Sequence, residues 1–220
     1  MKTPLTKKSL RQHLTYSWWK YVLAFVLIIF CVTFYYDISS YRSPENKKVE
    51  LYIYGVTDDE SLRAYMEGVR LSRMSDQEVI ELMVLTTDSA YGPMQLTTYM
   101  AAGEGDLYAL PKDNFVGLAG DGAFLPLEED EELMSLLSDA GITLQSGWRR
   151  NRNTGETHLY GIPLNKLPGL SRLMYVENGY LSVSAMNKND ENVFRFLRIL
   201  VGDMLTAPEP DEIPPETDIP

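Results

Sequence analysis

The chain has 220 residues, which corresponds to about one domain, or one domain with attached segments. Its 45% hydrophobic and 23% charged residues are ordinary for a globular protein and exclude wholesale disorder or a collagen-like repeat. The single cysteine excludes an intramolecular disulfide and a thiolate metal cluster. A net charge of −11 argues against a nucleic-acid partner, because phosphate binding needs a positive field.

Charge is segregated along the chain. Residues 1–20 carry five basic residues and no acidic residue, and residues 21–36 carry no charge. Residues 37–220 hold 15 basic and 31 acidic side chains, a formal charge of −16. Three segments with such different charge predict three different environments.

The uncharged segment and the aromatic residues before it predict a membrane span at residues 18–36, with tryptophan or tyrosine at both ends and Lys20 near its edge. Nineteen residues in a helix cover about 28 Å, close to the thickness of the hydrocarbon core. A cleaved signal peptide is the alternative, but no small-x-small cleavage site follows the run. The excess of Lys and Arg before the span places residues 1–17 in the cytoplasm as a basic tail. We therefore expect a single-pass protein of the cell membrane whose C-terminal part is extracytoplasmic.

The part after the span is divided by composition. Residues 37–48 are polar and predict a short stalk, and residues 49–205 are long enough for one α/β domain with its own core. Residues 206–220 contain five prolines and five acidic residues with few apolar ones. Such a segment buries too little surface to offset its ordering entropy, which predicts a disordered tail.

Strands alternate with helices in the first half of this domain. Strands are predicted at 49–54, 79–86 and 106–110, and helices at 57–74, 93–102 and from Phe115. Thr57 followed by Glu60 forms a capping-box pattern at the start of the first helix. The alternation predicts a mostly parallel sheet with helices on its faces.

The second half of the domain does not continue this alternation of strands and helices. A helix is predicted at 131–139, a hairpin from 145–150 and 157–162 around the turn 151–155, and strands at 175 and 180–185. Asn189 or Asp190 caps a last helix with an apolar stripe formed by Val193, Phe194, Leu197, Leu200 and Val201. We expect this stripe to pack in the core.

Four segments in series resemble a known family. Residues 91–110 (Tyr-Gly-Pro-Met-Gln-Leu-Thr-Thr-Tyr-Met-Ala-Ala-Gly-Glu-Gly-Asp-Leu-Tyr-Ala-Leu) resemble the first lobe of bacterial extracellular solute-binding proteins of ABC importers, where a helix ending in small residues and Gly leads into a strand begun by Asp. Residues 115–127 are similar to the following helix and its exit. Residues 155–163, which end in Tyr-Gly-Ile-Pro, resemble the strand that crosses to the second lobe, and residues 179–200 resemble the strand and helix that return.

The chain departs from this family where a second lobe would be inserted. Only residues 164–174 separate the crossing strand from the returning segment, too few for an independently packed lobe. The resemblance therefore implies an α/β fold with one membrane-anchored lobe, similar to the N-terminal lobe of a periplasmic-binding protein. This lobe is expected to have a mostly parallel sheet, flanking helices and one returning antiparallel strand, and the second lobe is expected to be missing.

Candidate ligand-binding residues lie at the expected carboxyl edge of the sheet, where open α/β folds bind ligands. The loop after the first strand contains Thr57 and Asp58, for which capping and turn formation are the alternative. The resemblance implies that both face the ligand cleft together with Asp88, Lys112 and Asp113.

The predicted hairpin supplies two further candidates. Trp148 can stack on a sugar ring through its aromatic face, although a core or hairpin tryptophan is the alternative. Arg149, Arg150 and Arg152 form a small basic patch that suits an acidic partner or a lipid headgroup. Its alternative is a solvated hairpin tip.

The residue types give little support for a metal site or for an enzyme. The acidic run 128–132 leads straight into a helix, unlike a calcium loop, so no metal site is expected. His158 is the only histidine after the span, and no Gly-x-Ser-x-Gly, Walker or complete dinucleotide motif occurs. We expect neither an enzyme nor a cofactor.

Two hypotheses for function remain. The first is an interaction or accessory module of a membrane transport or sensing complex, with the lipid bilayer and a transporter or complex subunit as partners. The second is direct capture of a small-molecule solute, such as a sugar, for an ABC importer. No nucleic-acid partner is expected under either hypothesis.

Overall fold

The computed structural model describes residues 7–39, 43–87 and 90–205. Two compact units, Met1–Arg42 and Ser43–Pro220, divide the chain. The first contains one helix, α1 (Lys7–Ser39). Within it, Trp18–Tyr36 is long and apolar enough to cross a membrane, and its side chains are exposed in the structure. Two predicted features, the beginning of the basic tail and the acidic segment 206–220, lie outside the described residues.

The second unit is built from nine strands and six helices, besides short 3-10 turns, in the part of the chain that is described. In chain order these are β1 (Lys48–Tyr54), β2 (Val56–Thr57), α2 (Asp59–Arg73), β3 (Val79–Leu85), α3 (Gly92–Ala102), β4 (Leu107–Leu110), α4 (Lys112–Gly120), α5 (Glu131–Asp139), β5 (Trp148–Arg150), β6 (Thr157–Leu159), β7 (Ile162–Pro163), α6 (Leu170–Leu173), β8 (Met174–Tyr175), β9 (Tyr180–Val183) and α7 (Asp190–Met204).

The central sheet has five strands in the order β3-β1-β4-β9-β7. Strands β3, β1 and β4 are parallel, with Leu51 opposite both Leu82 and Leu107. Strand β9 runs antiparallel to β4 and to β7. The predicted fold class, α/β with a mostly parallel sheet, flanking helices and one returning antiparallel strand, is confirmed.

Side chains of β1 point alternately to the two faces of the sheet, as in any strand. Leu51 and Ile53 lie in the larger apolar core with buried residues of α2, α5, α6 and α7. Tyr52 and Tyr54 lie in the second core with residues of α3 and α4. Because β1 is buried on both faces, the sheet is the middle of three layers.

Two details of the sequence prediction are wrong. Asp58, not Thr57, caps α2, because its carboxylate accepts hydrogen bonds from the Ser61 N–H (3.3 Å) and hydroxyl (2.7 Å). Thr57 instead belongs to β2, whose pairing with β8 keeps it extended. Helix α4 begins at Lys112, directly after Pro111, rather than at Phe115. In α7 the predicted stripe packs in the larger core, with Phe194 partly buried, and the fully buried aromatic residue Phe196 adds to it.

The connection between β7 and β9 is part of the lobe. It forms a 3-10 turn, α6 and β8, and it buries Leu167, Leu170 and Met174 in the larger core. Strand β8 pairs with β2, directly after the end of β1. These residues therefore cover the carboxyl edge of the sheet around β1.

Candidate functional site

The main candidate site is a groove of about 620 Å³ at the carboxyl edge of the sheet. The start of α4 lies on one side, and the connection between β7 and β9 lies on the other. Its lining residues are Lys112, Ser146, Pro163, Leu164, Asn165, Leu170, Ser171, Met174, Tyr175, Val176, Glu177, Asn178, Gly179 and Tyr180. We call this site the edge groove.

An aromatic stack supports the floor of the edge groove. The rings of Tyr180 and Phe115 are stacked with their centroids 4.2 Å apart, and Phe124 lies 6.1 Å beyond Phe115. All three residues are buried. Since such rings pack rigidly, the floor keeps its shape without a ligand.

The turn that enters β9 also has a constrained shape. Asn178 adopts a positive φ of 47°, a region that Asn tolerates better than most residues. A Cβ atom at Gly179 would lie 2.6 Å from the Leu164 side chain and 2.8 Å from Val176. The turn therefore needs this Asn-Gly pair in order to pack against the connection.

The polar groups of the edge groove are varied. Lys112 is its cation and Glu177 its anion, and Ser146, Ser171, Asn165 and Asn178 offer hydroxyl and amide groups. Such a surface suits hydrogen bonding to a polar molecule or a peptide. In the described residues, no group of three His, Cys, Asp or Glu is placed to hold a metal ion.

Of the predicted ligand-binding residues that the structure describes, only Lys112 lines the edge groove. Asp113 is exposed on the first turn of α4, and Trp148 is exposed on β5, with neither among the lining residues. Asp88 lies outside the described residues.

Thr57 and Asp58 are occupied locally. The Thr57 hydroxyl donates to Asp59 at 3.0 Å, and the Asp58 N–H donates to the Leu173 carbonyl at 2.8 Å. Hydrogen bonds from Ser61 hold the pKa of Asp58 below its ordinary value. Sequence reasoning missed most lining residues because they lie in the connection, whose one local signal was the Asn178-Gly179 turn.

The three arginines of the hairpin contact their own lobe. The Arg149 guanidinium lies 5.5 Å from the centroid of the Phe115 ring. Arg150 donates to the Gly155 carbonyl at 3.0 Å. Arg152 donates to the Gly117 carbonyl and forms an ion pair with Asp121, both at 2.9 Å. These contacts attach the hairpin to α4 and stabilise its own turn.

Exposed apolar side chains also occur at the carboxyl edge. Val56 and Tyr175 are direct partners in the β2–β8 pair, and their exposed fractions are 64% and 68%. Tyr91 and Met94, at the start of α3, are similarly exposed. We call the Val56–Tyr175 pair the apolar rim. Exposed apolar groups at one edge are typical of a protein-contact surface.

Comparison with known proteins adds a partial structural likeness. No protein-family model matches the chain, and no curated protein matches it. The chain is similar to an extracellular solute-binding protein family 1 structure from Alicyclobacillus acidocaldarius, with 19% identity and a TM-score of 0.39, over 57% of this chain and 29% of that one. It is also similar to an N-glycan transport solute-binding protein from Streptococcus pneumoniae (18% identity, TM-score 0.35, 53% and 24% coverage). An uncharacterized protein from Listeria monocytogenes gives 14% identity and a TM-score of 0.41, with 53% and 28% coverage. The matches thus span less than a third of the length of these proteins.

Proposed function

We propose that the chain is a single-pass membrane protein whose α/β unit lies outside the cytoplasm and serves a membrane transport or sensing complex as an interaction or accessory module. The apolar helix Trp18–Tyr36 supports the anchor. The four basic residues before it, Lys2, Lys7, Lys8 and Arg11, support a cytoplasmic N-terminus. The module corresponds to residues 49–205, with residues 37–48 as its stalk and 206–220 as a separate tail.

The observation that carries the proposal is the covered carboxyl edge. A two-lobed binder encloses its solute, and enclosed pockets bury about 70–90% of a ligand's surface. Here the connection buries Leu167, Leu170 and Met174 in the lobe itself and leaves an open groove on its outer side. We infer that the second lobe of the family is missing. We also infer that this edge acts as a contact surface rather than as one wall of an enclosed ligand cleft.

The apolar rim indicates where a protein partner contacts this surface. Val56 and Tyr175 stand side by side on the β2–β8 pair, and neither contributes to the core. Burying large apolar side chains of this kind contributes about 1.5–3 kcal/mol each. A partner with an apolar strip would gain this stabilisation, which the isolated lobe does not use.

Site-specific photo-crosslinking in intact membranes tests the proposal. A photoreactive phenylalanine derivative replaces Tyr175 in one variant and Leu71 in a control, since Leu71 is 62% exposed on α2. We expect a discrete crosslinked product of higher mass at position 175 and none at position 71. Equal products from both positions, or none from position 175, would contradict an interaction surface at the rim.

Direct capture of a small solute is the second candidate, and the polar lining of the edge groove favours it. Lys112, Asn165 and Ser171 can bind hydroxyl or carboxylate groups, and Tyr180 offers an aromatic ring. A single wall contacts about half of a ligand, while the cost of immobilising that ligand is unchanged. Losing the opposite wall costs about 4 kcal/mol, which limits affinity to about millimolar.

Titration calorimetry separates the two candidates. The full chain in detergent micelles is titrated with a panel of sugars and amino acids, and Lys112→Gln serves as the site variant. We expect no solute to bind more tightly than about millimolar. Micromolar binding that Lys112→Gln weakens would establish direct capture in place of the accessory role.

A further inference from the structure

Most positively charged side chains of the second unit have acidic or carbonyl partners. Arg73 pairs with Asp203, Arg195 with Asp76, and Arg198 with Asp130. In the described part of the second unit, four cationic side chains have no such partner. These are Lys112, Lys166, Arg172 and Lys188.

Three of these four cations surround α6. Lys166 ends the 3-10 turn before α6, Arg172 lies on α6, and Lys112 faces the connection across the edge groove. All three are exposed. The domain that contains them is strongly acidic, so a cluster of unpaired cations needs a separate explanation.

A second groove lies on the other side of α6, at the end of α7. Its volume is about 620 Å³, and it is lined by Tyr65, Gly169, Arg172, Leu173, Gly202, Asp203 and Met204. The Gly169 N–H donates to the Met204 carbonyl at 3.0 Å, so α6 and the end of α7 are in direct contact. Asp203 is the acid of this groove, and it is bound to Arg73 and to the Tyr65 hydroxyl (2.7 Å).

The acidic segment 206–220 follows α7 and Leu205 directly in the sequence, and Met204 of α7 lines this groove. It has five acidic residues, five prolines and no basic residue. Fifteen residues in an extended, proline-rich conformation reach about 45 Å. Because α6 contacts the end of α7, the segment is long enough to pass Arg172 and continue along α6 to the edge groove.

The charges of the two grooves at the end of α7 favour a path along α6. The other groove at the end of α7 is lined by Glu132, Asp139 and Leu205, with no basic residue among its lining. Glu132 is paired with Arg198 at 3.2 Å, so Asp139 is the acid that repels an acidic segment there, whereas Arg172 and Lys166 attract it. Tethering adds to this attraction, because attachment to the same chain gives the segment an effective concentration of about millimolar.

We propose that residues 206–220 bind across α6 of their own chain, with their carboxylates against Arg172, Lys166 and Lys112. An acidic, extended peptide of a partner protein would compete for the same three cations. The surface around α6 is thus an acidic-peptide site whose resident ligand is the chain's own C-terminal segment.

Zero-length carbodiimide crosslinking of the full chain in detergent micelles tests this proposal. The reagent joins a carboxyl to a lysine amine only when the two are in contact, and the products are identified by mass spectrometry after proteolysis. We expect amide links from residues 206–220 to Lys166 or Lys112, and few to Lys188, which lies just before α7. Links to Lys188 at equal yield, or no links to Lys166 and Lys112, would overturn the proposal.

An isotope-labelling experiment distinguishes a contact within one chain from a contact between two chains. Equal amounts of ¹⁴N- and ¹⁵N-labelled chains are crosslinked together, and a contact within one chain gives only peptide pairs of the same label. Mixed pairs would show that the segment binds a second copy and would overturn the intramolecular assignment.

A set of charge variants tests the role of Arg172, with the Lys166 link as the reporter. Removing one surface ion pair should lower the yield about threefold in Arg172→Gln. Arg172→Lys, which keeps the charge, should retain the yield, and Lys188→Gln should leave it unchanged. Half-molar salt should lower the wild-type yield, since such pairs are screened. An Arg172→Gln yield equal to that of the wild type would contradict the proposal.

Discussion

The carboxylate of Asp106 accepts a hydrogen bond from the backbone N–H of Glu50, with 2.8 Å between Oδ2 and the nitrogen. Asp106 is 8% exposed, just before β4, and Glu50 lies on β1. In return, the Glu50 carboxylate accepts a hydrogen bond from the Gly105 N–H at 3.1 Å. The two carboxylates join the neighbouring strands near the amino end of β4. Burial is the main cause that raises the pKa of Asp106 to about 6.

This raised pKa predicts a pH-dependent stability. In the unfolded chain Asp106 titrates near 3.8, so between about pH 4 and pH 6 the folded state binds the proton more strongly. The stabilisation from the protonated form is complete below about pH 4 and is lost as the pH rises through about 6. A shift of this size corresponds to about 3 kcal/mol.

The substitution Asp106→Asn should remove this dependence, because an amide keeps an acceptor for the Glu50 N–H without a charge. Denaturant unfolding of wild type and variant in detergent micelles at pH 4 and pH 8 measures the effect. We expect the free energy of unfolding of the variant, relative to wild type, to be about 3 kcal/mol higher at pH 8 than at pH 4. A difference that does not change with pH would contradict the assignment to Asp106.

The connection between β7 and β9 should contribute to the stability of the lobe. Leu170 is fully buried in the larger core, and truncating a buried leucine costs about 2–5 kcal/mol. We expect Leu170→Ala to lower the free energy of unfolding by about 3 kcal/mol. Leu71→Ala, at an exposed position, should change it by less than about 0.5 kcal/mol. Equal effects of the two substitutions would show that the connection is not part of the core.

Substitution of alanine for glycine should have opposite effects on stability at two positions. A Cβ atom at Gly68, on the exposed face of α2, meets nothing within 4 Å. Gly68→Ala should therefore stabilise the lobe by about 0.5–1 kcal/mol, because Gly has the greater entropy in the unfolded chain. A Cβ atom at Gly147 would collide with the carbonyl oxygen of Gly161. Gly147→Ala should destabilise by about 1–3 kcal/mol, and thermal unfolding measures both changes.

The proposed topology can be tested with protease on intact spheroplasts. The four basic residues before the helix Trp18–Tyr36 predict that the N-terminus lies inside. We expect added protease to digest residues 37–220 and to leave an N-terminal tag intact. Protection of the C-terminal part, or its release into the medium as a processed form, would contradict an uncleaved anchor. Lysed spheroplasts, in which the tag is also digested, are the control.

The sequence allowed most elements to be predicted where the signal is local. The apolar spacing of Leu62, Met66 and Val69 predicts one buried face of a helix, and all three are buried. Helix α5 matches its predicted bounds, because the acidic first turn and Gly141 mark both ends within a few residues. The α2 cap was misassigned because Thr57 and Asp58 are both suitable capping residues. A contact with distant β8 decided between them.

The candidate site was predictable only in part, for the same reason. Lys112 follows a recognisable strand, so its place at the carboxyl edge could be predicted. The other lining residues come largely from the connection, which shows no periodic pattern and was interpreted only as too short for a lobe. Arg149 was expected at a solvated tip or a partner contact, and the structure places it against Phe115, which is 34 residues away in the chain.

Composition and short-range periodicity by themselves determined the apolar helix, the acidic character of the rest and the alternation of strands and helices. These properties depend on neighbours within one or two turns of the chain. Tertiary structure alone decided that the connection covers the carboxyl edge, that Val56 stands beside Tyr175, and that unpaired cations gather around α6. Each of these depends on contacts between residues far apart in sequence, because packing and charge act through space and leave no periodic trace in the chain.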